Sequence, residues 1–153
     1  MQTATQFHET LAEAVKASSQ EVRKHPMMKV GAVGHQGDVY CHRIDSIPKA
    51  WNVEVTEHHQ VALGATIGSR HVADGLALKV FWPKSSADAV KACPVDGLAD
   101  KLGTGAQFCL GPVVVAEKPW ALVHPEHAHH EFPAGTFLIS YQLDRATMRQ
   151  VRD

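Results

Sequence analysis

The chain has 153 residues, of which 44% are hydrophobic and 20% are charged, a composition typical of a globular domain that buries a core. Fifteen basic and sixteen acidic residues give a formal net charge of −1. This balance argues against a protein that binds nucleic acid by neutralising phosphates. No apolar run approaches the ~20 residues that a membrane-spanning helix needs, so we expect neither a nucleic-acid nor a membrane partner.

The N-terminal part of the chain, residues 1–28, is predicted to be a helical arm. Apolar residues such as Phe7 and Leu11 recur about once per turn over residues 6–24, and Pro26 ends the pattern. Because this apolar stripe is thin, the helix would be marginal alone. We therefore expect it to pack on the rest of the domain or on another subunit.

The compartment is predicted from two further features of the sequence. The first residues lack the basic and apolar regions of a secretory signal peptide. The three cysteines, Cys41, Cys93 and Cys109, are widely spaced and odd in number, which fits a reducing environment. We expect a cytoplasmic protein, or a virion protein if the chain is encoded by a phage.

Residues 29–153 are predicted to form one mainly β domain. Short apolar segments alternate with glycine and proline, which is typical of a small antiparallel barrel or sandwich. Residues 84–106 look like an insertion with a short helix followed by a glycine-rich loop, and a helical turn over 145–151 would form a short C-terminal helix. The predicted strands are 29–33, 38–44, 51–56, 60–65, 76–82, 107–116, 120–123 and 136–143.

A histidine-rich segment, residues 124–131, is the main candidate for chemistry. If residues 127–131 are extended, alternate side chains share one face, and two imidazoles with a carboxylate suit iron, manganese or zinc. The predicted metal ligands, drawn from this segment and one earlier position, are His71, His124, His127, His129 and Glu131. Two alternatives remain open: a solvated loop with incidental metal affinity, and a contact that responds to pH because imidazole titrates near neutrality.

Several short motifs occur in an ordered set along the chain. They are Gln36-Gly37-Asp38-Val39, Ile47-Pro48, Ile67-Gly68-Ser69-Arg70-His71, His124-Pro125-Glu126-His127 and Pro133-Ala134-Gly135-Thr136, followed by Gln142 and a terminal segment 149–153. The set resembles a largely uncharacterised family of small phage and bacterial β proteins, with QGDV, TGHxH, HxEH and PxG motifs. The resemblance covers residues 35–82 and 111–153 and implies a β fold whose last segment is a short helix.

This chain departs from the family pattern in three places. Ser69 replaces the first histidine of TGHxH, so a metal site of the family would here lack one ligand or would use His129 or His130 instead. The N-terminal arm and the 84–106 insertion are additional. The family supplies no activity to transfer, and the likeness to cupins is loose because the second cupin motif is not recognisable.

Two functions follow as expectations. The first is a non-enzymatic assembly or binding module with a protein partner or a homo-oligomer, such as a phage-encoded virion accessory or capsid-decorating protein. The extra arm and insertion favour it. The alternative is a cupin-like metal-binding protein or metalloenzyme that uses the 124–131 segment. We assign no catalytic residue, and we expect no cofactor unless a transition metal binds there.

Overall fold

The computed structural model of the protein describes residues 22–63, 70–144, 146 and 149–151. Helical residues in these ranges are confined to Ser86–Lys91, Leu98–Leu102, the 3₁₀ turn Gly103–Gly105 and Ala106–Cys109. The described strands are β1 (Val22–Lys24), β2 (Val33–Gln36), β3 (Val39–Ile44), β4 (Val53–Val55), β5 (Gln60–Leu63), β6 (Arg70–Asp74), β7 (Leu78–Trp82), β8 (Leu110–Ala116), β9 (Trp120–Val123), β10 (His129–Phe132), β11 (Gly135–Tyr141), β12 (Leu143–Asp144) and β13 (Arg149–Gln150).

These strands form a sandwich of two sheets. In the described part of the chain, one sheet has the order β1-β10-β9-β6-β5 and the other the order β2-β3-β11-β8-β7-β4. Their pairings are antiparallel, apart from the parallel pair of β1 with β10. The predicted mainly β fold is confirmed, and of the two predicted architectures the structure adopts the sandwich.

The hydrophobic core lies between the two sheets. Three aromatic rings meet there: Trp120 of β9 lies 5.0 Å from Phe132 of β10 and 5.3 Å from Phe137 of β11, measured between ring centroids. Strands β8 and β11 are almost wholly buried, because the inserted helices add apolar residues such as Ala89 and Leu102 to the same core. Burial on both faces explains the continuous apolar run in β8.

The insertion is only partly as predicted. A short helix does form at Ser86–Lys91, and Ser85 caps it because its Oγ accepts a hydrogen bond from the backbone N–H of Asp88 at 3.1 Å. The predicted glycine-rich loop is wrong over Leu98–Leu102, which is helical, and the strand predicted over 107–116 begins only at Leu110, because Ala106–Cys109 is helical. Tertiary burial of apolar residues there outweighs the weak helix propensity of the glycines.

Both ends of the chain also depart from the prediction. Val22–Lys24 is strand β1 of the five-stranded sheet and not the end of a helix, while residues 1–21 of the predicted arm lie outside the described residues. The predicted C-terminal helical turn is wrong at Arg149–Gln150, which pairs with Leu143–Asp144. A segment this short does not nucleate a helix unaided, and strand pairing satisfies its backbone instead.

Among the strands that the sequence did not predict, β6 and β10 both carry histidines. β10 begins within the histidine-rich segment, for which an extended conformation and a solvated loop were both left open, and it pairs with β9 on one side and β1 on the other. Strand β6 lies between β5 and β9. None of the helices in the described ranges is long and apolar enough to span a bilayer.

Candidate functional site

Three of the predicted ligands, His71, His124 and His127, lie together. His71 is on β6, and the pairing of Val72 with Val123 places His71 beside His124, directly after β9. One ring nitrogen from each of the three histidines lies within 4.8 Å of the other two. His71 and His124 are fully buried and His127 is half-buried, so the cluster adjoins the surface at one side.

His124 organises the turn that carries His127. Its Nδ1 accepts hydrogen bonds from the backbone N–H groups of Glu126, at 3.0 Å, and of His127, at 3.2 Å. A ring nitrogen that accepts hydrogen bonds carries no proton, so the neutral ring of His124 has its proton on Nε2. The side chain therefore caps the turn that follows β9 and fixes the position of His127.

His71 has the opposite tautomer, and Gln36 at the end of β2 imposes it. The Gln36 amide nitrogen donates to the backbone carbonyls of Leu122, at 2.9 Å, and Ala128, at 2.7 Å. Carbonyls only accept, so the amide cannot be reversed, and its Oε1 faces Nδ1 of His71 at 2.8 Å. His71 must donate from Nδ1, which leaves the lone pair of its neutral ring on Nε2.

A buried carboxylate lies beside that lone pair. Asp38, in the two-residue turn between β2 and β3, is 4% exposed, and its Oδ1 is 3.5 Å from His71 Nε2. Within the part of the chain that the structure describes, neither of these two atoms has a hydrogen-bond partner. Burying a carboxylate oxygen without a partner is unfavourable, so a cation or a proton shared with His71 would stabilise this arrangement.

The other two predicted ligands do not join the cluster. His129 is buried and Glu131 is exposed on β10, which runs along β9 toward Trp120. Among the described residues, neither belongs to the group whose ring nitrogens converge. The expected alternation of His127, His129 and Glu131 on one face requires a strand through residue 127, but β10 begins only at His129.

Sequence reasoning missed the contribution of Gln36 and Asp38 to the site. Both belong to the Gln36-Gly37-Asp38-Val39 motif, which served only as a mark of family resemblance. Gly37 between them has a φ of 58°, a left-handed conformation that suits glycine and lets the chain reverse in two residues. The signal was present as two polar residues on either side of a glycine between two predicted or observed strands of a hairpin.

Comparisons of the chain with protein-family models, with curated proteins and with solved structures found no match. The family resemblance inferred from the motifs therefore stays a prediction. The case for the site rests on its geometry.

The Gln36 amide can be tested by Gln36→Leu, a substitution of similar volume. It leaves two backbone carbonyls and the Nδ1–H of His71 without their partner, and each such group costs about 1–3 kcal/mol when buried. We expect the free energy of unfolding in urea to fall by at least about 2 kcal/mol. Gln107→Leu, at an exposed position, is the control, and equal stability of the two variants would contradict this role.

A second histidine pair lies apart from the cluster. His25, which follows β1, places its Nε2 3.0 Å from Nδ1 of His130. The His25 ring also stacks on Phe132, with centroids 4.8 Å apart and planes inclined by 9°. One hydrogen bond between two imidazoles needs one ring nitrogen that carries a proton and one that does not. The contact therefore requires at least one neutral ring.

The surroundings of this pair favour the neutral form. Burial is the main cause that lowers the pKa of His130 from 6.5 to about 4, and the further causes are the neighbouring charges of His25, Arg23, His35 and His129. Burial, with Arg23 and His35, also lowers the pKa of His25. Below pH 6.5 the unfolded chain consequently binds protons at these positions more tightly than the folded chain does.

Stability should therefore depend on pH through this pair. Its contribution is fully present above pH 6.5 and is lost as the pH falls toward about 4. We expect His130→Asn to lose less unfolding free energy than the parent chain between pH 7 and pH 5, measured by urea denaturation. His58→Asn, at an exposed histidine, should follow the parent chain. Parallel curves for His130→Asn and the parent would contradict the prediction.

Proposed function

We propose that the protein binds a first-row transition metal ion at His71, His124 and His127. The observation that carries this proposal is the convergence of one ring nitrogen from each histidine within 4.8 Å. Imidazole is a ligand for zinc, iron and related metals, and three imidazoles with an open position form a known type of catalytic zinc site. Iron, manganese and zinc are the candidate ions.

The arrangement of His71 supports the proposal most directly. Metal-ligating histidines usually donate their second ring N–H to a protein oxygen, which fixes the tautomer and orients the ring. His71 donates Nδ1–H to Gln36 and keeps a lone pair on Nε2, as a ligand requires. Since Gln36 is held by two backbone carbonyls, this orientation exists before any ion binds.

His124 must change when an ion binds. Coordination through Nε2 requires loss of the proton there, and coordination through Nδ1 displaces the N–H groups of Glu126 and His127. Binding should therefore rearrange the turn at residues 124–127, and the ring positions should be adjusted by the ion. Metal uptake should also release protons, because ligands bind in their deprotonated form.

The chemistry that such a site supplies is activation of bound water or polarisation of an oxygen. A zinc ion held by three protein ligands would lower the pKa of its bound water to about 7. His127 is half-buried and Glu126 next to it is exposed, so the cluster can be approached from the side of this turn. A small polar substrate would reach the ion there, which makes a hydrolytic or hydration reaction the class to examine first.

The proposal is tested by metal affinity of the full chain. Purified protein is titrated with Zn²⁺ and Mn²⁺ in competition with a chelating dye, and elemental mass spectrometry gives the stoichiometry. We expect about one ion per chain and an affinity at least about ten-fold weaker in His127→Ala, because one ligand is lost. His127 is half-buried, so this variant should keep its fold.

The control is His58→Ala, which removes an exposed histidine from a different part of the surface. It should bind as the parent chain does. If the parent chain binds no ion, or if His127→Ala and His58→Ala bind equally well, the metal site is refuted.

A second candidate, an assembly role, is favoured by a different observation. Met27, Val30 and Val33 are 82%, 58% and 55% exposed on one segment that leads into β2. β2 is an edge strand of the described six-stranded sheet. Exposed apolar residues beside a strand edge favour association with another protein surface. We propose that this segment, residues 27–33, contacts a second copy or a protein partner, and a phage virion component is one form of this role.

This second proposal is tested by light scattering coupled to size-exclusion chromatography at two protein concentrations. We expect an oligomer that dissociates in the double variant Met27→Ser, Val33→Thr. Leu76→Ser, at an isolated side chain that is 93% exposed, should leave the oligomer intact. A parent chain that is monomeric at both concentrations would exclude self-association.

A further inference from the structure

We propose that a cavity beside the inserted segment binds a small amphipathic carboxylate, a molecule with a short apolar chain and one negative charge. The cavity has a volume of about 380 Å³ and lies between the helix Leu98–Leu102, strands β2, β3 and β11, and the chain that follows β11. Ligand pockets measure about 300–1,000 Å³, so this cavity suits a small ligand. The proposed metal site does not use it.

The floor of the cavity is the outer face of the six-stranded sheet. Residues directly opposite each other in antiparallel strands point to the same face, and Val33 pairs with His42 while Tyr40 pairs with Ser140. Tyr40 and His42 are two residues apart on β3, so both pairs share this face. Gln36 is three residues from Val33 on β2 and points to the opposite face. The sheet therefore separates the cavity from the histidine cluster that Gln36 contacts.

A hydrogen-bonded pair of polar side chains lies in this floor. His42 Nε2 is 2.7 Å from Ser140 Oγ, and Ser140 is only 2% exposed. Burial is the main cause that lowers the pKa of His42 from 6.5 to about 4, so the imidazole is neutral at pH 7. The pair therefore adds polarity to the cavity but no charge.

The charge at the cavity comes from Lys101. This residue is exposed near the end of the helix Leu98–Leu102, and its positive charge lowers the pKa of His42 further, which places the ammonium group near the imidazole. The described residues that line the cavity include no aspartate or glutamate. A cation without an acidic neighbour in the lining attracts an anion, and a single cation suits a single negative charge.

Apolar side chains form much of the remaining wall. Leu98, Leu102 and Leu143 line the cavity, and the first two are four residues apart and therefore on one face of their helix. Ligand pockets combine such an apolar lining with a few polar groups that fix the orientation of the ligand. A carboxylate at Lys101 with a hydrocarbon chain along these leucines matches both parts. The 84–106 insertion would then serve as one wall of a binding site.

The test is a calorimetric titration of the full chain with sodium octanoate, in the presence of EDTA so that metal binding does not contribute. Octanol and octylammonium carry the same hydrocarbon chain without the negative charge. We expect octanoate to bind at least about three-fold more tightly than either of them, because only octanoate pairs with the lysine. Equal or weaker binding of octanoate would overturn the proposal.

A matched pair of lysine variants locates the site. Lys101→Met removes the charge and keeps an apolar side chain, so the affinity for octanoate should fall at least about three-fold while that for octanol stays unchanged. Lys91→Met, at an exposed lysine of the preceding helix that does not line the cavity, should bind octanoate as the parent chain does. Equal affinity of the two variants for octanoate would place the ligand elsewhere and refute this site.

A second measurement does not depend on the folding of a variant. In the parent chain, octanoate should shift the ring C–H resonances of His42 in an NMR spectrum and leave those of His71, on the other side of the sheet, in place. Absence of a shift at His42 would overturn the proposal. The outcome is independent of the metal site, because a chain that binds no ion would still bind octanoate.

Discussion

The buried amide of Gln36 is the interaction on which the rest of the site depends. It lies at the end of β2 in the six-stranded sheet, and its nitrogen donates to carbonyls of Leu122 and Ala128, on the side of the five-stranded sheet. Its oxygen accepts from His71. One side chain therefore joins the two sheets and sets the proton position of a buried imidazole. Each of the three hydrogen bonds of the Gln36 amide is made to a buried or partly buried group. Removal of this amide therefore affects both the fold and the site.

The histidine-rich segment, residues 124–131, has different roles before and after residue 128. Before it, the chain turns, and His124 caps this turn so that His127 approaches His71. After it, β10 is bound on both edges by neighbouring strands, and His130 stacks with His25 at the junction with β1. The cluster at residue 71 has a carboxylate beside it and can accept a cation. The pair at residue 130 is kept neutral mainly by burial, with a further contribution from neighbouring charges such as Arg23.

The sheet register explains why distant motifs meet. Pairing of β6 with β9 brings His71 to the position of His124, and the short turn between β2 and β3 presents Gln36 and Asp38 to the same histidine. Three sequence motifs that are 30 to 90 residues apart thus form one polar group inside an apolar sandwich. A metal ion would neutralise this group without the need for solvent. His129 and Glu131 are not part of this polar group, because they lie along strand β10, which leads away from the turn.

The sequence by itself determined the mainly β class, most strand positions and three of the histidines that converge. Short-range signals carry that information: apolar alternation, glycine and proline between strands, and imidazoles at high local density. Strands such as β1, β6 and β10 were not determined by it, because Val22–Lys24 and His129–Phe132 are held as strands by pairing with distant segments. The roles of Gln36 and Asp38 were likewise decided by tertiary structure. Polar residues in a hairpin have no assigned partner until the second sheet supplies one, since hydrogen bonds and ion pairs depend on distances in space and not on spacing along the chain.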